Sequence, residues 1–265
     1  AGSAIRRQLN GRSAVAGMGA SLADMHATST DSLVVDRVHC GPPESGNGGW
    51  TSGELAAYLS PGAGDGVTVR LSSPPPLDAP MTVTLADGVA TLTHAGHLVA
   101  TARPGIVAPL KTDAVDLAAA ADAETRYEAL AGHPFSTCFS CGTDRDPEEA
   151  LCLRPGPLAD GSGRYAARWT PPAASPSLVW AALDCPGGWS AGIAGRPMVL
   201  GEMTAAIHDL PVPGEEHVVI AWQTGTSGRK HQSASVVQTT DGRILARATA
   251  TWIAVDPATI RPKEH

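Results

Sequence analysis

Apolar and polar positions along this chain give strand signals in two separate batches. In the first, the runs cover residues 33–39, 67–72, 81–86, 89–94 and 98–102; in the second they cover 164–169, 203–208, 217–223, 233–239 and 244–255. Runs of this kind predict half-buried strands. Asp87-Gly88 falls between two of them and Asp241-Gly242 stands before the last; Asp-Gly supplies the backbone angles a tight hairpin needs. Between the first and second strands of each batch lies one apolar stretch with helical potential. The first is 48–59, closed by Pro61; the second is 177–192, where Leu178, Ala181, Ala182 and Ala191 are placed to face a sheet. A third stretch, 115–130, rich in good helix formers and ended by Gly132, predicts a helix connecting the batches.

The order strand, loop, buried helix, antiparallel strands therefore occurs twice. The batches also close alike: Gly96-His97-Leu98-Val99-Ala100-Thr101-Ala102 parallels Gly242-Arg243-Ile244-Leu245-Ala246-Arg247-Ala248. A repeated supersecondary unit usually means two copies packed on a shared core. The chain then divides into a flexible leader (1–32), an N-terminal unit (33–113), a connecting helix (114–132), a C-terminal unit (133–256) and a tail (257–265).

Composition narrows the class. Hydrophobic residues make up 43% and charged residues 17%, a globular balance. Net charge is −7, and the only basic clusters are Arg6-Arg7 and Arg229-Lys230, so the footprint of a nucleic-acid binder is missing. No apolar run approaches the roughly 20 residues that cross a bilayer, and residues 1–32 lack the apolar stretch of a secretory signal. Five cysteines, an odd count in a chain too large to need staples, read as reduced thiols in the cytoplasm.

Two stretches carry a family resemblance: Leu178-Val179-Trp180-Ala181-Ala182-Leu183-Asp184-Cys185-Pro186-Gly187-Gly188-Trp189 and His133-Pro134-Phe135-Ser136-Thr137-Cys138-Phe139-Ser140-Cys141-Gly142. The first resembles the central helix of hotdog-fold acyl-CoA thioesterases of the phenylacetate and 4-hydroxybenzoyl type. The second is similar to a segment of actinobacterial thioesterase-like proteins. The resemblance implies an α+β fold, a tandem double hotdog of two curved antiparallel sheets, each wrapped around a central helix. It also implies an acyl-CoA or acyl-carrier thioester as substrate and no cofactor beyond coenzyme A as part of that substrate. The assembly it allows is a homodimer of such chains.

In that family a His-Gly-Gly-like turn opens the helix and a carboxylate follows about two turns later. The first half keeps the glycines, as Asn47-Gly48-Gly49, but has Ala56 where the acid belongs; the second opens with Ser175-Pro176-Ser177 and has Asp184. Because family sites combine the helix start of one unit with the acid of the other, the resemblance implies one complete composite site of Asn47, Gly48, Gly49 and Asp184. The opposite site, with Pro176 and Ala56, would be inactive. Glycine N–H groups at a helix start suit an oxyanion, and a buried Asp suits a base or nucleophile. Trp50 and Glu54 on the first helix, and Arg229 and Lys230 as phosphate partners, complete the candidates for substrate binding. A rival register matches the Gly-Gly-Trp triplets at 48–50 and 187–189 and would undo this split.

Cys138-x-x-Cys141, with His133 and Cys152 nearby, has ligand types that suit zinc. The second pair is irregularly spaced, so ordinary structural thiols and no bound metal are expected. Hydrolysis of an acyl thioester is the leading function. An enoyl thioester hydratase or dehydratase, and a non-catalytic acyl-thioester binding protein, are the alternatives.

Overall fold

The computed structural model describes residues 28–59 and 66–260; most of the predicted leader, Pro61 and the end of the tail lie outside them. In chain order the elements are β1 (Ser29–Leu33), α1 (Gly48–Ala56), β2 (Gly66–Leu71), β3 (Met81–Ala86), β4 (Val89–His94), β5 (His97–Gly105), α2 (Leu117–Glu124), β6 (Gly156–Pro157), β7 (Arg164–Trp169), α3 (Pro176–Ser190), β8 (Met198–Ile207), β9 (His217–Ser227), β10 (Lys230–Thr239) and β11 (Ile244–Ala254). The two helices predicted inside the batches are α1 and α3, and the connecting helix is α2.

Strands β3, β4 and β7 match the predicted runs residue for residue. Between β3 and β4, Asp87 and Gly88 take φ of 50° and 73°, the pair of positive angles a two-residue hairpin turn needs to follow the strand twist. Hydrogen bonding does not stop between the batches. One 11-stranded sheet runs β1-β3-β4-β5-β2-β8-β11-β10-β9-β7-β6, in place of two separate sheets. The seam is an antiparallel pairing of β2 with β8, with Val67 opposite Ala205 and Arg70 opposite Glu202. The Thr68 and Thr204 hydroxyls meet across it at 2.9 Å.

Three expectations shift. Residues 33–39 are not a strand: β1 ends at Leu33, and Arg37–His39 form a 3-10 turn. Its start is fixed by Asp78, whose carboxylate accepts from the Arg37 N–H at 2.8 Å and from Nε at 3.0 Å. Strand β1 takes all but its last residue from the stretch read as leader, and pairs with β3. Helix α2 is shorter than 115–130. The Thr125 Oγ–H turns back to the Asp122 carbonyl at 2.7 Å, a side-chain bond that competes with helix propagation.

Both central helices lie on the sheet and cross antiparallel to each other. A Cβ on Gly49 would stand 2.5 Å from the Asp184 Cβ and 2.7 Å from the Trp180 carbonyl; one on Gly53 would stand 2.7 Å from the Ser177 Cα. The two glycines thus let α1 approach α3 backbone to side chain. Every residue of α3 from Ser177 to Trp189 is buried, because the 133–155 segment covers the face that the sheet and α1 leave open. Phe135, Cys138, Phe139, Cys141 and Leu153 from that segment join the main core. The burial of α3 brings its one acid, Asp184, into the interior.

Candidate active site

Asn47 caps α1, accepting from the Trp50 N–H at 2.8 Å through its side-chain oxygen, as a short amide does best at a helix start. The Thr51 N–H bonds the Asn47 carbonyl at 2.9 Å. The Gly49 N–H donates to Asp184 Oδ2 at 2.9 Å. This leaves the Gly48 N–H without a partner among the described residues, at the positive end of the helix dipole.

Asp184 is 2% exposed, and its Oδ1 has no hydrogen-bond partner among the described residues. Burial pushes its pKa up to about 8, against the pull of Gly49 and Asn47 toward the charged form. Asn47, Gly48 and Asp184 line one cavity of about 280 Å³. Its remaining walls are mostly apolar and include Leu71, Ile193, Met198, Leu200 and Trp252. Ile260, in the stretch read as tail, also lines it. The structure thus brings Asn47, Gly48, Gly49 and Asp184 together, from two halves of the chain, at the edge of an apolar chamber.

The other predicted residues stand elsewhere. Trp50 is not in the cavity wall; it stacks on His39 with ring centroids 3.6 Å apart, because the Asn47 N–H bonds the His39 carbonyl at 2.8 Å and draws that loop over α1. Glu54 points to the far end of the helix pair and accepts from the Ser177 Oγ–H at 2.5 Å. The carboxylate facing the start of α3 is therefore Glu54, not a residue at position 56. The opposite junction does hold an acid, engaged by a hydroxyl. Arg229 and Lys230 lie at the β9–β10 turn. The Arg229 carbonyl accepts from the Ala254 N–H at 3.0 Å, and the residues flanking Ala254, Ile253 and Val255, line the cavity.

Two histidines take positions that no spacing along the chain gives. His133 lines the same cavity as Asp184, brought there by the fold of the 133–155 segment. His39, sandwiched by Trp50 and the edge of Phe139, has its pKa held down at about 4, chiefly by burial. Its ring stays neutral in the folded chain while an unfolded one takes up a proton near pH 6.5, so stability is lost as pH falls from about 6.5 toward 4. Allowing for the ring's partial exposure, the loss is about 1–2 kcal/mol. Denaturant titrations at both ends of that window are expected to show it in the native chain, and a smaller loss in His39→Phe. Equal losses would remove His39 as the cause.

No family model matches the sequence, and no curated protein matches it. The solved structures do match. A protein of unknown function with hot dog fold from Alicyclobacillus acidocaldarius superposes at a TM-score of 0.56, with 19% identity, over 91% of this chain and 100% of its own. The chain has the hotdog fold. Two further solved structures superpose on the chain: a protein of Thermobifida fusca assigned as thioesterase II (TM-score 0.56, 13% identity, 88% of this chain and 97% of that one) and the pyran synthase domain from module nine of the sorangicin pathway (0.59, 14%, 95% and 100%). No helix among the described residues of this hotdog protein is long and apolar enough to cross a membrane.

Proposed function

We propose that this chain is a tandem double hotdog that hydrolyses an acyl-CoA or related acyl thioester at one composite site. The observation that carries the reading is the 2.9 Å contact from the Gly49 N–H to Asp184 Oδ2 at the edge of a mostly apolar cavity. It joins the helix start of one half to the acid of the other.

In this reading the acyl chain occupies the apolar chamber and its carbonyl oxygen meets the free Gly48 N–H. That donor and the α1 dipole stabilise the oxyanion that develops there, an effect worth on the order of 3 kcal/mol per donor. The Gly49 bond fixes one oxygen of Asp184 and leaves Oδ1 free to take a proton from water or to attack the carbonyl carbon. Glycine at 48 lets the start of α1 pack closely on β8, since a Cβ there would stand 2.8 Å from the Leu200 Cβ. Arg229 and Lys230, beside the strand end that lines the cavity, are placed to meet the phosphates of coenzyme A. Five free cysteines fit a reducing compartment, the cytoplasm.

A second reading has one observation in its favour. Asp184 and His133 share the cavity, and an acid with an imidazole could add water across an enoyl thioester. Free-thiol release from short, long and aromatic acyl-CoAs, run beside loss of enoyl absorbance from a crotonyl thioester, separates the two. Thiol release with at least one saturated acyl-CoA is the expected outcome. Enoyl loss without thiol release would transfer the site to hydration, and neither signal would leave binding alone.

A further inference from the structure

We infer that Cys138, Cys141 and Cys185 form a zinc site, with its fourth coordination position facing the cavity. The three sulfurs lie within 4.8 Å of one another, and Cys138 Sγ is 3.6 Å from Cys185 Sγ. A tetrahedral zinc with Zn–S bonds of about 2.3 Å holds its sulfurs about 3.8 Å apart, so the cluster needs little adjustment to receive the ion. All three cysteines line the cavity, which supplies a route of access.

The hydrogen bonding separates these sulfurs from ordinary buried thiols. Cys40 and Cys152, outside the cluster, each donate to a carbonyl, Thr137 at 3.1 Å and Arg145 at 3.8 Å. The clustered sulfurs have no oxygen acceptor among the described residues; Cys138 and Cys185 meet each other, and an N–H group approaches each of Cys138 and Cys141. Cys138 Sγ receives Asn47 Nδ2 at 3.6 Å. His133 Nε2 lies 3.3 Å from Cys141 Sγ. Its Nδ1 accepts from the Phe135 N–H at 2.8 Å, so the neutral ring carries its proton on Nε2 and donates it to the sulfur. The Trp189 indole packs on the edge of the His133 ring with centroids 5.1 Å apart, and its buried Nε1–H has no hydrogen-bond partner among the described residues.

Two of the three sulfurs face N–H donors and none has an oxygen to donate to, a setting that suits thiolates once a cation is present to balance their charge. Binding Zn²⁺ releases the three thiol protons and leaves the cluster with a single net negative charge, where three bare thiolates would carry three. The tight turn after Cys141 belongs to the same design: a Cβ on Gly142 would stand 2.4 Å from the Ser136 carbonyl and 2.6 Å from that of Cys138. The ion would tie the 133–142 segment to α3 one residue from Asp184. The inference holds whether or not the cavity hydrolyses thioesters.

The test uses the full chain, purified under reducing conditions, dialysed with zinc and freed of loose metal. Elemental analysis is expected to find about one zinc per chain. Cobalt in its place should give a sulfur-to-cobalt charge-transfer band in the near ultraviolet. Cys152→Ser should keep both signals, and Cys141→Ser and Cys185→Ser should lose them. Retention of no metal by the native chain, or a cobalt spectrum without the sulfur band, would overturn the site. So would equal retention in a variant lacking all three cysteines. The native cobalt spectrum decides the question even where a variant does not fold.

Discussion

Asp184→Asn is expected to lower kcat for thioester hydrolysis by about 10³-fold, the middle of the range for a lost acid–base group, while leaving the protein folded. Asparagine has the shape of the acid and keeps an oxygen to accept the Gly49 N–H, so the clip between α1 and α3 survives. Replacing a carboxyl that burial already disfavours in its charged form should change stability by no more than about 1 kcal/mol. A purely structural Asp184 would show the opposite pattern, with hydrolysis intact and any loss appearing in the thermal midpoint. Paired measurements of kcat and melting temperature on the two chains distinguish them.

Gly49→Ala is expected to have the largest effect on stability. The added Cβ would meet the Asp184 Cβ at 2.5 Å, the Trp180 carbonyl at 2.7 Å and the Ala181 Cα at 3.0 Å. Two of those three atoms are backbone and cannot swing aside. Alanine gains about 1 kcal/mol of helix propensity over glycine, but forcing the helices apart in a close-packed core costs more. The net loss should be about 2 kcal/mol, a fall of about 4–8 °C in melting temperature for a chain of this size. Hydrolysis should fall with it, because the same shift pulls the Gly49 N–H from Asp184. An unchanged melting temperature would mean that α1 and α3 are not held at this distance.

The strands were legible where their determinants are local. Residues 81–86 and 89–94 are runs rich in strand-forming residues on both sides of an Asp-Gly turn, and β3 and β4 follow them without a shift. Residues 33–39 carry a strand signal too, with three valines, but Asp78, far along the chain, captures the Arg37 N–H and turns the backbone out of the sheet. Joining of the two batches into one sheet depends on β2 meeting β8, a pairing with no local signal. The candidate site shows the same division. Asn47-Gly48-Gly49 and Asp184 stood out by family resemblance, and the fold places them together. The facing of Glu54 toward Ser177 follows from the crossing of α1 and α3 at Gly53, which no spacing rule along α1 gives. Cys185 joins Cys138 and Cys141 only because the 133–155 segment folds over α3; along the chain, Cys152 was the nearer candidate.

One composite site for the whole chain is the central claim, and counting occupied sites tests it most directly. A non-hydrolysable thioether analogue of the preferred acyl-CoA, titrated calorimetrically against the native chain, is predicted to bind with a stoichiometry of one. Two equivalents bound per chain, or one bound with the same affinity when Gly48 is replaced by a residue that fills the mouth of the cavity, would contradict it.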